Sequence, residues 1–165
     1  MYKGFFKRLL DLFLSVIGIL FLLPIFVLLI IVIKLDSPGP VLFKQKRVGI
    51  HKKHFNILKF RTMRIDTPKD TPTHLLENPD EWITNVGKFL RKTSLDELPQ
   101  LLNILKGDIS IVGPRPVMEV ETEIYGNYRD MLLSVKPGLT GFWAANGRSC
   151  TTYTRRRAME ICYVK

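Results

Sequence analysis

Two acidic residues stand side by side at Asp96-Glu97, inside Arg91-Lys-Thr-Ser-Leu-Asp-Glu-Leu-Pro-Gln100. Leu95, Leu98, Leu101, Leu102 and Leu105 recur around them at three- and four-residue steps, the spacing of one apolar helix face. Two kinds of chemistry are open to such a pair. Ser94-x-x-Glu97 fits a capping box, with Glu97 reaching back to the backbone N–H of Ser94 and Asp96 in the first turn, where the helix dipole favours a carboxylate. The sharper reading is an acid pair held at a positive helix end, ready to attack an electrophile or to bind a metal. Pro99 falls only a few residues past the cap. Either the helix kinks there, or its regular part begins near Leu98 with the acids on the preceding turn.

Cations that could serve those acids are spread along the chain. On a strand expected over His54–Met63, Lys59 and Arg61 share parity and project from one face about 7 Å apart. Such a pair suits a phosphate or diphosphate; it suits equally a solvated edge that discourages strand pairing. Arg115, between Pro114 and Pro116, sits in a stiffened loop, where a guanidinium fork can grip phosphate oxygens. Arg148, in Asn146-Gly147-Arg148, is a second candidate phosphate or base contact. Phe142 and Trp143 either stack on a nucleobase or dip into a membrane interface, and Arg155-Arg156-Arg157 reads as a membrane-facing basic patch. His51, His54 and His74 lack metal-site spacing, and Cys150 with Cys162 supports neither a zinc site nor a disulfide framework. A reducing cytosol is the default compartment.

The elements that must position these residues begin with a greasy one. The chain has 165 residues, enough for one domain, and a formal charge of +10 from 25 Lys+Arg against 15 Asp+Glu. That balance suits polyanions, and the apolar N-terminus ranks a membrane surface above nucleic acid. Leu12–Ile33 carries no formal charge and as a helix reaches about 33 Å, enough for a bilayer core of about 30 Å. It exceeds a signal-peptide core and has no Ala-x-Ala-like site before Lys34. Lys3, Lys7 and Arg8 precede it; Lys34, Lys44, Lys46 and Arg47 follow. The positive-inside rule therefore keeps both ends on the cytoplasmic side. Pro24 lies mid-run and forces a kink, so a re-entrant helix that bends near Leu23-Pro24 and returns to the same face is preferred to a true span, for which the length is adequate. Lys7 and Arg8 then form a basic collar at headgroup level, and Asp11 wants a partner, Arg8 or a residue beyond the helix.

After the break at Asp36–Pro40, Val41–Val48 and His54–Met63 flank a five-residue turn, giving a basic β-hairpin. Thr67–Pro79 reads as a polar surface connection that could cover a site. Asp80–Leu90 and Met118–Leu133 read as amphipathic helices, Gly107 as a C-cap and Ile109–Val112 as a short strand. The expected fold is α/β of the helix-rich α+β kind: residues 1–35 a re-entrant membrane helix, residues 36–165 one catalytic domain.

Six motifs in order carry a resemblance. Lys7-Arg8-x-x-Asp11, Lys59-Phe-Arg61-Thr-Met63 and Ser94-Leu-Asp96-Glu97-Leu-Pro-Gln100 come first. Val112-Gly-Pro-Arg115-Pro116, Pro137-Gly-Leu-Thr-Gly141 and Asn146-Gly147-Arg148 follow. Each is weak alone; the ordered set resembles the bacterial sugar transferases, the monotopic polyprenyl-phosphate phosphoglycosyl transferases, over nearly the whole chain.

The resemblance implies transfer of a phospho-sugar from a UDP-sugar to undecaprenyl phosphate with release of UMP, the first membrane step of exopolysaccharide, capsule, O-antigen or glycan assembly. It implies magnesium, held partly by Asp96, and a place in the bacterial inner membrane at its cytoplasmic face. Asp96 matches the nucleophile and Glu97 the second acid, while Lys59, Arg61, Arg91, Arg115 and Arg148 become phosphate contacts. Lys7, Arg8, Asp11 and Pro24 become the membrane-anchoring set. Membrane lipid is a further partner, no nucleic acid is expected, and a homodimer is one assembly such a chain could form. Ala144 stands where relatives often carry glutamine, Glu160 where aspartate is common, and Cys162 where an aromatic is usual. Relatives usually continue past Tyr163-Val-Lys165, which suggests a truncated C-terminus. The competing reading is a non-catalytic, membrane-bound polybasic module for acidic lipid or nucleic acid, whose binding would fall steeply with salt and ignore the acid pair.

Overall fold

The computed structural model describes residues 2–68, 78–147 and 152–164. Helix α1 runs from Tyr2 to Asp36 as one helical element with Pro24 inside it. Its most apolar stretch has a mean hydropathy of 3.5 and is only 11% buried, so Leu20, Phe21, Leu28 and Leu35 face outward without protein cover. The opposite side of the helix is docked along its length. Near its start, Asp11 accepts hydrogen bonds from Ser110 Oγ (2.8 Å) and the Ile111 N–H (3.0 Å). Arg8 donates to the carbonyls of Ile104 (2.5 Å) and Leu105 (2.9 Å), and Lys7 to that of Val112 (2.8 Å). The expected collar is thus turned toward protein. Three polar groups that would be costly in an apolar setting are paired with backbone and a serine instead. Midway, Ile19 and Leu22 pack against Leu101, Ile104 and Ile109. Toward its end, Leu29 and Ile33 join Phe60 and Leu90 in a second core.

Strands β1 (Leu42–Val48) and β2 (His54–Phe60) pair antiparallel, from Leu42 opposite Phe60 to Val48 opposite His54. The turn between them closes through Gly49 N–H to Lys53 O at 2.7 Å. β2 stops three residues short of the expected Met63, because Met63 bridges to Ile83 instead. Among the described residues no third strand covers the outer edge of β2. A side chain does: Asn103 donates to Asn56 O (2.8 Å) and accepts from Leu58 N–H (2.9 Å), as a neighbouring strand would. Its amide also donates to Asp108 Oδ2 at 2.9 Å.

The helix expected over Asp80–Leu90 is two: α2 (Pro79–Trp82) and α3 (Asn85–Thr93). Ile83 is drawn into extended pairing, and Thr84 restarts the helix by accepting from Gly87 N–H at 3.0 Å. Gly87 is required by contact, since a Cβ there would lie 2.1 Å from the Thr62 carbonyl oxygen. Helix α4 spans Gln100–Lys106 and ends at Gly107 in the left-handed conformation. Its buried face is Gln100, Leu101, Asn103 and Ile104, while Leu102 is exposed, so the apolar stripe read from the leucines is shifted by the docking of Asn103 on β2.

β3 (Ser110–Val112) pairs parallel with β4 (Gly138–Thr140). Gly113, Gly138 and Gly141 allow their loops to touch: a Cβ on Gly138 would sit 2.1 Å from Gly113 N, and one on Gly141 2.2 Å from Gly113 O. The stretch expected as one amphipathic helix over Met118–Leu133 divides into α5 (Glu119–Thr122), a 3-10 segment and α6 (Arg129–Leu132). Gly126, at φ 49° and ψ −128°, breaks it. Short α7 (Phe142–Ala145) and α8 (Tyr153–Val164) complete a helix-rich fold with two small sheets.

Asn103→Ala should lower unfolding stability by about 2 kcal/mol, because it leaves the buried Leu58 N–H and the part-buried Asn56 carbonyl without their partner on the edge of β2. Denaturant unfolding in detergent micelles measures this; a loss under about 0.5 kcal/mol would show that water replaces the amide there.

Candidate active site

The acid pair occupies a 3-10 turn, Leu95–Glu97, between α3 and α4. Ser94 enters it with φ 62° and ψ 16°, in the left-handed region. A side-chain N-cap typically takes extended backbone at that position. The expected capping box accordingly does not form: Ser94's side chain makes no cap bond, and the Glu97 carboxylate instead receives Lys59 Nζ at 2.9 Å. Pro99 ends the ambiguity in the sequence. It stands at the cap position of α4 with helical φ/ψ, where its missing N–H costs nothing, so the acids belong to the turn before the helix. Leu95 and Leu98 anchor the turn on the core of Leu29, Ile33, Phe60 and Leu90. This leaves Asp96 buried, 8% exposed, while Lys59 and Glu97 are half-buried.

Arg91, one helical turn before the acids on α3, donates from Nε to Thr62 Oγ1 at 2.9 Å. Burial pulls its pKa below the ordinary guanidinium value, and the carboxylates of Asp96 and Asp80 push it back up. It therefore shares a field with Asp96. Lys59 and Arg61 part company. Arg61, 6% exposed, donates to the carbonyls of Pro38 and Ser37 (both 2.6 Å) and of Ile33 (3.4 Å), capping the end of α1. Shared parity predicted a paired cation face; because β2 ends at Phe60, Arg61 is given to a helix end and Lys59 alone reaches the acids. Arg115 is half-buried in the loop after β3, its N–H donating to Glu160 Oε1 at 3.2 Å. Arg148 lies outside the described residues, as do His74 and Cys150.

A cleft of about 310 Å³ opens beside the turn. Ser94 and Glu97 form one side, Gly18 and Leu22 of α1 another, and Thr140 and Trp143 a third; the lining is mostly apolar. Trp143 is buried against it whereas Phe142 is exposed, so the two aromatics serve different surroundings. Among the described residues the buried Trp143 indole N–H has no hydrogen-bond partner. Among the described residues no group of three or more His, Cys, Asp or Glu converges. The oxygen donors here are Asp96 and Glu97, a set that fits magnesium in its usual mode, one or two carboxylates completed by substrate phosphates and water.

Sequence reasoning overlooked Thr62, which holds Arg91, and Asn103, which fixes α4. It noted Glu160 only as a departure from the family pattern. That residue is 1% exposed and accepts hydrogen bonds from the Tyr125 hydroxyl and from Arg115 N–H.

Comparison with known proteins identifies the family of the chain. The family profile described as bacterial sugar transferase matches residues 2–165. The exopolysaccharide production protein ExoY of Sinorhizobium fredii is 38% identical, over 98% of this chain and 78% of its own. The undecaprenyl-phosphate galactose phosphotransferase of Salmonella typhimurium is 39% identical over 98% of this chain and 37% of its own. The undecaprenyl-phosphate glucose phosphotransferase of Komagataeibacter xylinus is 39% identical over 96% of this chain and 32% of its own. The match over residues 2–165 and these identities show that the chain belongs to the bacterial sugar transferases, a family of enzymes.

Burial raises the pKa of Glu160, against hydrogen bonds from Tyr125 and Arg115 and the charges of Arg156 and Arg115. An acid that holds its proton more tightly when folded stabilises fully below its unfolded pKa, and that contribution is lost as pH rises through the folded value. Glu160→Gln cannot ionise, so its unfolding free energy should fall less steeply than wild type as pH rises above the ordinary glutamate value. Denaturant titrations across pH test this, and parallel curves for the two proteins would contradict it.

Proposed function

We propose that this chain transfers a phospho-sugar from a UDP-sugar to a polyprenyl phosphate such as undecaprenyl phosphate, and releases UMP. The observation that carries the reading is Asp96: a buried carboxylate on a tight turn, in the field of Arg91, next to a Lys59–Glu97 pair and a largely apolar cleft. An Asp96 oxygen attacks the sugar-bearing phosphorus; the bond to the bridging oxygen breaks, and UMP leaves with that oxygen. The acceptor's phosphate oxygen then attacks the aspartyl phospho-sugar and frees the carboxylate. Two displacements replace one difficult transfer. Lys59, Arg91, Arg115 and Arg148 bind phosphate oxygens, and Glu97, held by Lys59, adjoins the reacting centre for proton handling. Magnesium, held at Asp96 together with the diphosphate, supplies charge neutralisation when bound.

The cleft supports a lipid acceptor because one of its walls, Gly18 and Leu22, belongs to the apolar helix itself. Relatives named as undecaprenyl-phosphate phosphotransferases support the same acceptor. A cytoplasmic-face, monotopic placement is supported by α1: its beginning docks on α4 and β3, and its end on Phe60 and Leu90 of the same body. Pro24 within the helix supplies a position where it can bend. The polybasic-module reading is not favoured, since it gives no part to the acid pair or to the family match.

With magnesium and UDP-sugar, Asp96→Asn should release UMP at least about 10³-fold more slowly than wild type. Normal release by a folded variant would remove the nucleophile assignment. Ala144 also lines the cleft, so Ala144→Leu narrows it and should raise the KM for polyprenyl phosphate about tenfold while leaving the first UMP burst intact. A lost burst would assign the cleft to the donor. Cysteines placed at residues 2 and 37 of a cysteine-free background should both label only from the cytoplasm; labelling from opposite sides would overturn the monotopic placement.

A further inference from the structure

We propose that Glu160 is a positioning residue for phosphoryl transfer, acting through Arg115. The inference rests on the reading of Arg115 as a phosphate contact, and goes beyond it by assigning what holds that arginine in place.

Three features of the chain lead to it. The loop Pro114-Arg115-Pro116 has a single backbone N–H, because prolines flank the arginine. Glu160 takes that N–H, at 3.2 Å. The carbonyls on either side are also engaged: Pro114 O accepts from Gly138 N–H at 2.8 Å and Pro116 O from Arg47 at 3.2 Å. The backbone around Arg115 is therefore fixed at each polar group named, and the only side-chain acceptor among these is Glu160.

Glu160 is also poorly placed for a merely solubilising role. It sits on α8, four residues after Arg156, yet it turns inward to 1% exposure, where a carboxylate costs free energy unless donors meet it. The donors that meet it are the Tyr125 hydroxyl from the 3-10 segment and the Arg115 N–H from the loop, with the charges of Arg156 and Arg115 bearing on it. Two separate segments thus converge on one buried acid, and one of them carries a phosphate-gripping guanidinium. Pinning the backbone leaves only Arg115's own side-chain rotations free, which lowers the ordering cost of engaging a diphosphate.

The test is a double-mutant cycle on the full chain in lipid nanodiscs, reading kcat/KM for UMP release from UDP-sugar. Glu160→Ala should lower kcat/KM about tenfold in the wild-type background and less than about twofold in Arg115→Ala. Glu160→Gln keeps an acceptor oxygen for the Arg115 N–H and should recover most of the loss. Equal factors in both backgrounds would overturn the proposal while leaving Arg115 as a contact. Wild-type kinetics for Arg115→Ala would overturn the contact and the proposal together. Absence of UMP release from the wild-type protein would remove the underlying reading. Should Glu160→Ala fail to fold, Tyr125→Phe takes its place in the cycle: a loss of about threefold that vanishes in Arg115→Ala supports the coupling, and an additive loss overturns it.

Discussion

A carboxylate withdrawn from water is costly unless charge or donors are brought to it, and much of this fold follows from placing one at Asp96. The turn that holds it is short, entered through a left-handed serine and closed by a proline that opens the next helix. Neither end can slide without breaking a helix. Arg91 on α3 supplies the opposing field, and Thr62 holds Arg91 where α3 crosses at Gly87. Lys59 reaches in from β2 to Glu97, and Asn103 ties that strand to α4 just beyond the turn. Each contact orders a different segment around the same three residues.

The apolar N-terminal helix is part of the site as well as an attachment. Its inward polar groups, Lys7, Arg8 and Asp11, close on α4 and β3, and Gly18 and Leu22 form a wall of the cleft next to Glu97. Arg61 caps the other end of the helix. The apolar helix and the acid-bearing turn are thereby joined in one body, which suits the proposed reaction, whose acceptor would be half hydrocarbon and half phosphate. It also means that helix and body form one folding unit, since removing α1 would expose both apolar cores.

The long apolar helix, the hairpin pairing and the Gly107 cap were legible because local chemistry dictates them. What was not legible depended on long-range partners. Ser94-x-x-Glu97 reads as a capping box until Lys59, thirty-eight residues away, claims the glutamate. Lys59 and Arg61 share parity, yet the strand ends between them and the carbonyls of α1 take the arginine. Ile83 interrupts a helical pattern because Met63 offers it a strand-like partner. Asn103 looked like an ordinary polar residue among leucines, and nothing in its spacing announces that it completes a sheet edge.

In the proposed reaction Asp96 carries the phospho-sugar between donor and acceptor. Intact-protein mass spectrometry after incubation with magnesium and UDP-sugar, without polyprenyl phosphate, tests it most directly. The expected result is a mass increase of one phospho-sugar, mapped to Asp96 by peptide analysis and discharged when the lipid acceptor is added. UMP release from substrate pairs with no adduct at any stage, or an adduct mapped to another residue, would contradict it.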